Sequence, residues 1–138
     1  MTELASLSPT ETTQITTYPQ RCLVVDDEIS IAGYVKKALS LAGFNVDMTL
    51  DPLDALEKMQ GTFYDTIITD LNMPELGGLE FLKRARAISP NFSAIIISGY
   101  TSQLDRTTLA DLNIKAVFEK PFKIPVLIET LCNINSSN

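Results

Sequence analysis

Cys22-Leu23-Val24-Val25-Asp26-Asp27 is an unbroken apolar run that ends on two acids. A strand with one wet face alternates apolar and polar residues, whereas a strand covered on both faces reads as continuous. Four more short runs follow at roughly even spacing: Phe44–Met48, Thr66–Thr69, Ala94–Ile97 and Ala116–Phe118. All five read as strands buried on both faces.

The segments between them have helical periodicity. Ile31, Val35, Ala38, Leu39 and Ala42 fall on one stripe, with Gly43 as a C-terminal stop. The second helix opens on Asp51-Pro52, an N-cap followed by a first-turn proline, and ends near Gly61. The third runs from about Leu79 to Ile88, with Leu79, Leu82, Ala85 and Ile88 inward, and stops before Pro90. A fourth is expected over about Ser102 to Leu112, weakened by Thr107-Thr108. The last starts near Pro125 and carries Leu127, Leu131 and Ile134. Strand–helix alternation requires right-handed crossovers, which predicts a three-layer α/β sandwich around a mostly parallel sheet.

Composition narrows the function. The chain has 138 residues, room for one domain, and is 45% hydrophobic and 20% charged. Its formal charge of -6, without a basic run, argues against a nucleic-acid partner. With no histidine it is neither a phosphohistidine carrier nor a His-ligated metal protein. Cys22 and Cys132 lie far apart, which excludes a structural zinc site and fits a reducing compartment. No signal peptide or membrane-length apolar run is present, so a cytoplasmic location is expected, with no membrane partner. Residues 1–20, rich in Thr and Ser with Pro9 and Pro19, read as a flexible tail ahead of a domain over 21–138.

In an open parallel sheet, ligands bind beyond the carboxyl ends of the strands. The residues just past the apolar runs are Asp26, Asp27 and Glu28 after the first, Asp70 after the third, Ser98 after the fourth and Lys120 after the fifth. Each has a plain reading by itself: an acid after a strand is often a helix N-cap, and a lysine there is usually solvated. Together they bring three aspartates, a hydroxyl and an ammonium to one edge. Three carboxylates so close need more positive charge than one lysine provides. A hard divalent ion with oxygen ligands completes the balance, and Mg²⁺ is the natural choice.

These residues also carry a family resemblance. Leu23-Val24-Val25-Asp26-Asp27-Glu28 resembles the opening of the response-regulator receiver domain, and Asp70-Leu71-Asn72-Met73-Pro74 with Gly77-Gly78 resembles its phosphoacceptor loop. Ile97-Ser98-Gly99 is similar to its switch-hydroxyl strand, and Phe118-Glu119-Lys120-Pro121-Phe122 to its closing Lys-Pro motif. All four motifs stand in order across about Arg21 to Ile134. The resemblance implies a flavodoxin-like (βα)5 fold with strand order 2-1-3-4-5. It implies Asp70 as the residue phosphorylated from phosphohistidine, with Mg²⁺ held by Asp26, Asp27, Asp70 and the backbone carbonyl of Asn72. Lys120 would contact Asp70 at rest and a phosphoryl oxygen afterwards. Ser98 would bind another phosphoryl oxygen, and Phe118 would turn inward as Ser98 moves, although Phe118 also reads as a permanent core ring. A cis Lys120–Pro121 bond is implied as well.

Two departures stand out. The family often has Asp where Gly77 stands, and Tyr100 is a bulky residue two positions past Ser98, placed to shield an acyl phosphate or to serve as an ordinary loop aromatic. The implied partners are a histidine kinase or histidine phosphotransfer protein and a downstream protein target. Ile29, Tyr34 and Leu41, outside the core stripe of the first helix, are candidates for docking the donor. The last helix lacks the Arg and Lys residues that support charged receiver dimers, so a monomer is expected. The short polar end leaves no room for an output module, which suggests a single-domain regulator or a piece of a longer chain. Two rivals remain at this stage. One is a haloacid-dehalogenase-like phosphatase, against which Asn72 stands where a second Asp is needed. The other is a receiver that binds partners without being phosphorylated.

Overall fold

Each apolar run forms a strand, and each periodic segment forms a helix between strands. The computed structural model describes residues 20–102 and 104–136, so the tail reading for residues 1–20 lies outside the described residues except at Gln20. The elements are β1 (Arg21–Val25), α1 (Ile29–Leu41), β2 (Asn45–Thr49), α2 (Pro52–Gly61), β3 (Thr66–Thr69), α3 (Gly78–Ile88), β4 (Ser93–Ser98), α4 (Arg106–Asp111), β5 (Ile114–Glu119) and α5 (Ile124–Ser136). The sheet order is β2-β1-β3-β4-β5, parallel throughout, which is the expected 2-1-3-4-5 arrangement.

The continuous apolar runs divide by alternation between two cores. Leu23, Val25, Ile67, Ala94 and Ile96 meet Ala55, Met59, Phe81, Leu82 and Ala85 from α2 and α3. Cys22, Val24, Ile68, Ile95 and Ile97 face the opposite way, against Ala32, Val35 and Leu39 of α1 and Leu127 and Leu131 of α5. Burial on both faces holds for β1, β3 and β4. It fails for β2 and β5, the edge strands, where neighbours cover only part of the surface. The alternating sequence Phe44-Asn45-Val46-Asp47-Met48 already carried that signal.

Local chemistry sets the helix ends. Gly43 has φ 104°, and α1 closes with Phe44 N–H on Leu39 O at 3.0 Å and Gly43 N–H on Ser40 O at 3.1 Å. This paired closure requires a left-handed residue, and glycine takes that conformation without strain. The expected Val35 and Leu39 are buried on the inner face of α1 with Ala32, Ile31 is partly buried beside them, and Ala42 is exposed at the C-cap. On α2, Asp51 Oδ1 accepts from Leu53 N–H at 2.9 Å, as the Asp-Pro signal predicts.

α4 is shorter than expected. Asp105 Oδ1 accepts from Thr108 N–H at 2.8 Å and starts the helix at Arg106, while Leu104 N–H turns back to Thr101 O at 3.1 Å. This cap holds the Asp105 carboxyl below its usual range. Arg86, at the end of α3, anchors the far end of α4. Its guanidinium lies 3.7 Å from the Phe92 ring centroid and donates to the carbonyls of Leu112 at 2.7 and 3.0 Å, Asn113 at 3.2 Å and Pro90 at 3.1 Å, as well as Phe92.

The two cysteines differ in environment. Cys22 is fully buried on β1, where desolvation, with a smaller contribution from Asp65, pushes its thiol up to about 12; Cys132 is exposed on α5. A thiolate is the reacting form, so a thiol reagent added to folded protein should label Cys132 alone. Peptide mass mapping before and after urea unfolding checks this, with Cys22 modified only after unfolding.

Candidate functional site

Backbone ladders that run one bond past the strands build the site. Asp26 N–H donates to Thr49 O at 3.2 Å, Asp70 N–H to Val25 O at 3.1 Å, and Lys120 N–H to Ser98 O at 2.8 Å. Val25 pairs with Thr69, so Asp26 and Asp70 emerge side by side. Carboxylate oxygens of Asp26, Asp27 and Asp70 lie within 4.8 Å of one another, the first and last buried and the middle one exposed. Lys120 Nζ lies 3.1 Å from Asp26 Oδ2, 3.1 Å from Asp70 Oδ2 and 2.8 Å from Glu28 Oε1.

Burial raises the Asp26 carboxyl above its ordinary value, against the pull of Glu28 N–H, which donates to Asp26 Oδ1 at 2.9 Å, and of Lys120. Burial by itself would lower the Lys120 ammonium. Bonds to Glu28, Asp26 and Asp70 outweigh it and hold Lys120 charged, above its usual range. Four carboxylates therefore face one ammonium, an excess of negative charge that suits a divalent cation bound by oxygen. The donor set passes this test, since the aspartate oxygens already converge without a soft ligand among them.

Asp70 Oδ1 accepts from Leu71 N–H at 2.7 Å and more weakly from Asn72 N–H at 3.4 Å, so the loop orients the carboxylate. Gly78 closes that loop, donating to Leu71 O at 2.7 Å. A Cβ on Gly78 would fall 2.1 Å from Asp70 O, a separation no side chain can occupy. Gly78 is thus the residue that lets α3 start against the acid's own backbone.

An open cleft of about 310 Å³ is lined by Asp27, Glu28, Asp70, Asn72, Ser98, Gly99, Tyr100 and Lys120. Ser98 is buried at its base, its hydroxyl at 3.4 Å from both the N–H and the carbonyl of Tyr100. Tyr100 is 61% exposed at the rim. Phe118 is neither fully buried nor free; it is partly buried against the α1–α5 core. The Lys120–Pro121 bond is cis, as the motif implies. Of the site residues expected from the sequence, Asp27, Asp70, Asn72, Ser98 and Lys120 line the cleft, whereas Asp26, which is buried, and Phe118 do not. Glu28 has a larger part than the sequence suggested. It stands at the N-cap of α1 but makes no side-chain cap bond, and its carboxylate goes to Lys120 instead. Only the fold reveals that pairing, which spans 92 residues of chain.

Comparison with known proteins agrees with this geometry. A sequence model of the response regulator receiver domain matches residues 22–132. The transcriptional regulatory protein DltR of Streptococcus agalactiae is 32% identical over 108 residues, covering 78% of this chain and 48% of its own length. The transcriptional regulatory protein TrcR of Mycobacterium tuberculosis is 30% identical over 113 residues, covering 82% of this chain and 44% of its own. This chain spans about half the length of the curated relatives it matches. Among solved structures, the chemotaxis response regulator CheY4 of Vibrio cholerae superposes with a TM-score of 0.75 at 31% identity, covering 84% of this chain and 98% of that one. A CheY-like receiver domain protein from Methanospirillum hungatei reaches 0.80 at 24% identity, covering 86% and 95%, and supports the fold. The chain belongs to the response regulator receiver domain family of two-component systems. Such domains are signalling domains rather than classical enzymes, and they pair with histidine kinases. Among the described residues no helix is long and apolar enough to cross a membrane.

Gly78→Ala should destabilise the fold by about 2 kcal/mol or more, because the clash is with backbone rather than a flexible side chain. At Gly77, a Cβ would meet Leu71 O at an ordinary 3.5 Å, and Gly77→Ala should stay within about 1 kcal/mol of wild type. Urea unfolding of both variants measures the difference.

Proposed function

We propose that the chain is a phosphorylation switch that takes a phosphoryl group from phosphohistidine onto Asp70. The observation that carries this reading is the buried Asp70 carboxylate, oriented by backbone N–H groups and touched by Lys120 at the floor of an open cleft. In the reaction an Asp70 oxygen forms a bond to phosphorus as the donor's nitrogen–phosphorus bond breaks, the imidazole leaving with the electron pair. A carboxylate is a weak nucleophile, so rate comes from positioning and charge neutralisation. Asp26, Asp27 and Asp70 would hold Mg²⁺, with the Asn72 carbonyl as a further ligand. Bound there, Mg²⁺ offsets charge on the phosphoryl oxygens.

Lys120 takes a phosphoryl oxygen once Asp70 is modified, and the Ser98 hydroxyl takes another. Ser98 is held at 3.4 Å by its present partners, a weak tether that it can exchange. Its movement opens space beside β5 for Phe118, and the α4–β5–α5 surface changes for a downstream protein. On α1, Ile29, Tyr34 and Leu41 are exposed, as docking residues must be. Tyr34 and Leu41 share a face, seven residues apart, while Ile29 alone lies at the cleft end of the helix. A donor helix that reaches Asp70 therefore meets Ile29 first.

Intact mass after incubation with a small acyl phosphate and Mg²⁺ tests the reading. Wild type should gain one phosphoryl group only when Mg²⁺ is present, and Asp70→Asn none. Failure of the wild type to gain mass, with Mg²⁺ binding intact, would favour a module that binds its partners without phosphorylation. Tyr100 at the cleft rim screens the acyl phosphate from water, so Tyr100→Ala should release phosphate faster, by about threefold or more. Phosphate release from purified phosphoprotein measures this, and an unchanged half-life would remove Tyr100 from the account.

A further inference from the structure

An ammonium group has three N–H donors. At rest Lys120 has three carboxylate partners for them: Glu28 at 2.8 Å, and Asp26 and Asp70 each at 3.1 Å. To take on a phosphoryl oxygen it must weaken or release one. Until the bond to phosphorus forms, Asp26 and Asp70 are both buried carboxylates, and stripping either of its cation is costly. The Glu28 side chain is 57% exposed, so water can replace the lysine there at little cost. Glu28 is the partner that can leave.

A second observation concerns the helix. Glutamate is not among the residues favoured at an N-cap, where shorter side chains bond the first-turn N–H groups. Glu28 holds that place through its backbone alone: its carbonyl accepts from Ile31 and Ala32, and its N–H donates to Asp26. The main chain is fixed, and the side chain is left to reach Lys120.

We infer that Glu28 is a positioning residue, a latch that holds Lys120 at rest and competes with the incoming phosphoryl group, slowing its uptake. The inference rests on Asp70 being the phosphoryl acceptor. Two variants separate contact from charge. Glu28→Gln removes the charge, whereas Glu28→Asp keeps it on a side chain one methylene shorter that caps the helix and falls short of Lys120.

The experiment measures the rate constant for phosphoryl adduct formation with acetyl phosphate at saturating Mg²⁺. Mg²⁺ affinity by calorimetry and thermal unfolding are followed alongside for each protein. Both variants should form the adduct about threefold faster than wild type or more, the scale of releasing a partly exposed ion pair, with folding intact. If wild type forms the adduct and both variants match it, the latch is overturned while Asp70 keeps its role. Acceleration in Glu28→Gln alone would assign the effect to net charge and overturn the latch equally. Absence of adduct on wild type would overturn the Asp70 reading and the latch with it.

Discussion

The Lys120 ammonium is the interaction on which the site depends. Asp26 and Asp70 emerge from adjacent strands into a region that water barely reaches, where two negative charges repel strongly. Lys120 arrives from β5 at the other end of the chain and lies 3.1 Å from each. The cation also joins the start of the domain to its end, since its third partner is Glu28 at the entrance to α1. One ammonium does not neutralise four carboxylates. The remaining negative charge leaves a carboxylate cluster that could hold a metal ion.

That arrangement is only as good as the backbone that presents it. Asp26, Asp70 and Lys120 each continue a strand ladder by one hydrogen bond before the chain turns away, so sheet register sets their side-chain positions. The loop after Asp70 is pulled tight by Gly78, whose missing Cβ lets α3 begin against the acid's carbonyl. On the far side of the molecule Arg86 fastens the end of α3 to the turn between α4 and β5 through the carbonyls of Leu112 and Asn113. α4 contributes no fully buried residue of its own. The helix is fastened at its far end and lightly packed along its length, and just before its start Leu104 N–H donates to Thr101 O.

Much of the fold was legible because its local signals agreed. Asp51-Pro52 opened α2 and Gly43 closed α1 through chemistry confined to a few residues. The central strands announced burial on both faces by their unbroken apolar runs. α4 starts later than expected because Ser102 and Asp105 are both cap-type residues, and only in the folded chain does Asp105 prove to accept from Thr108 N–H. On α1 the expected Val35 and Leu39 face inward, but Ala32 is the fully buried alanine while Ala42 is exposed, because packing rather than hydrophobicity alone chooses which alanine turns inward.

The sequence by itself determined the strand–helix order, the acids and the lysine at strand ends, and the motifs that resemble the receiver family. These follow from periodicity and short-range chemistry, which neighbouring residues carry between them. Tertiary structure decided which charges meet. Glu28 reads as a candidate helix cap until β5 brings Lys120 beside it, and Gly78 reads only as part of the loop motif until the loop folds onto Asp70. Ion pairs and close backbone approaches depend on distances between segments far apart in the chain, and those distances exist only once the sheet has set its register.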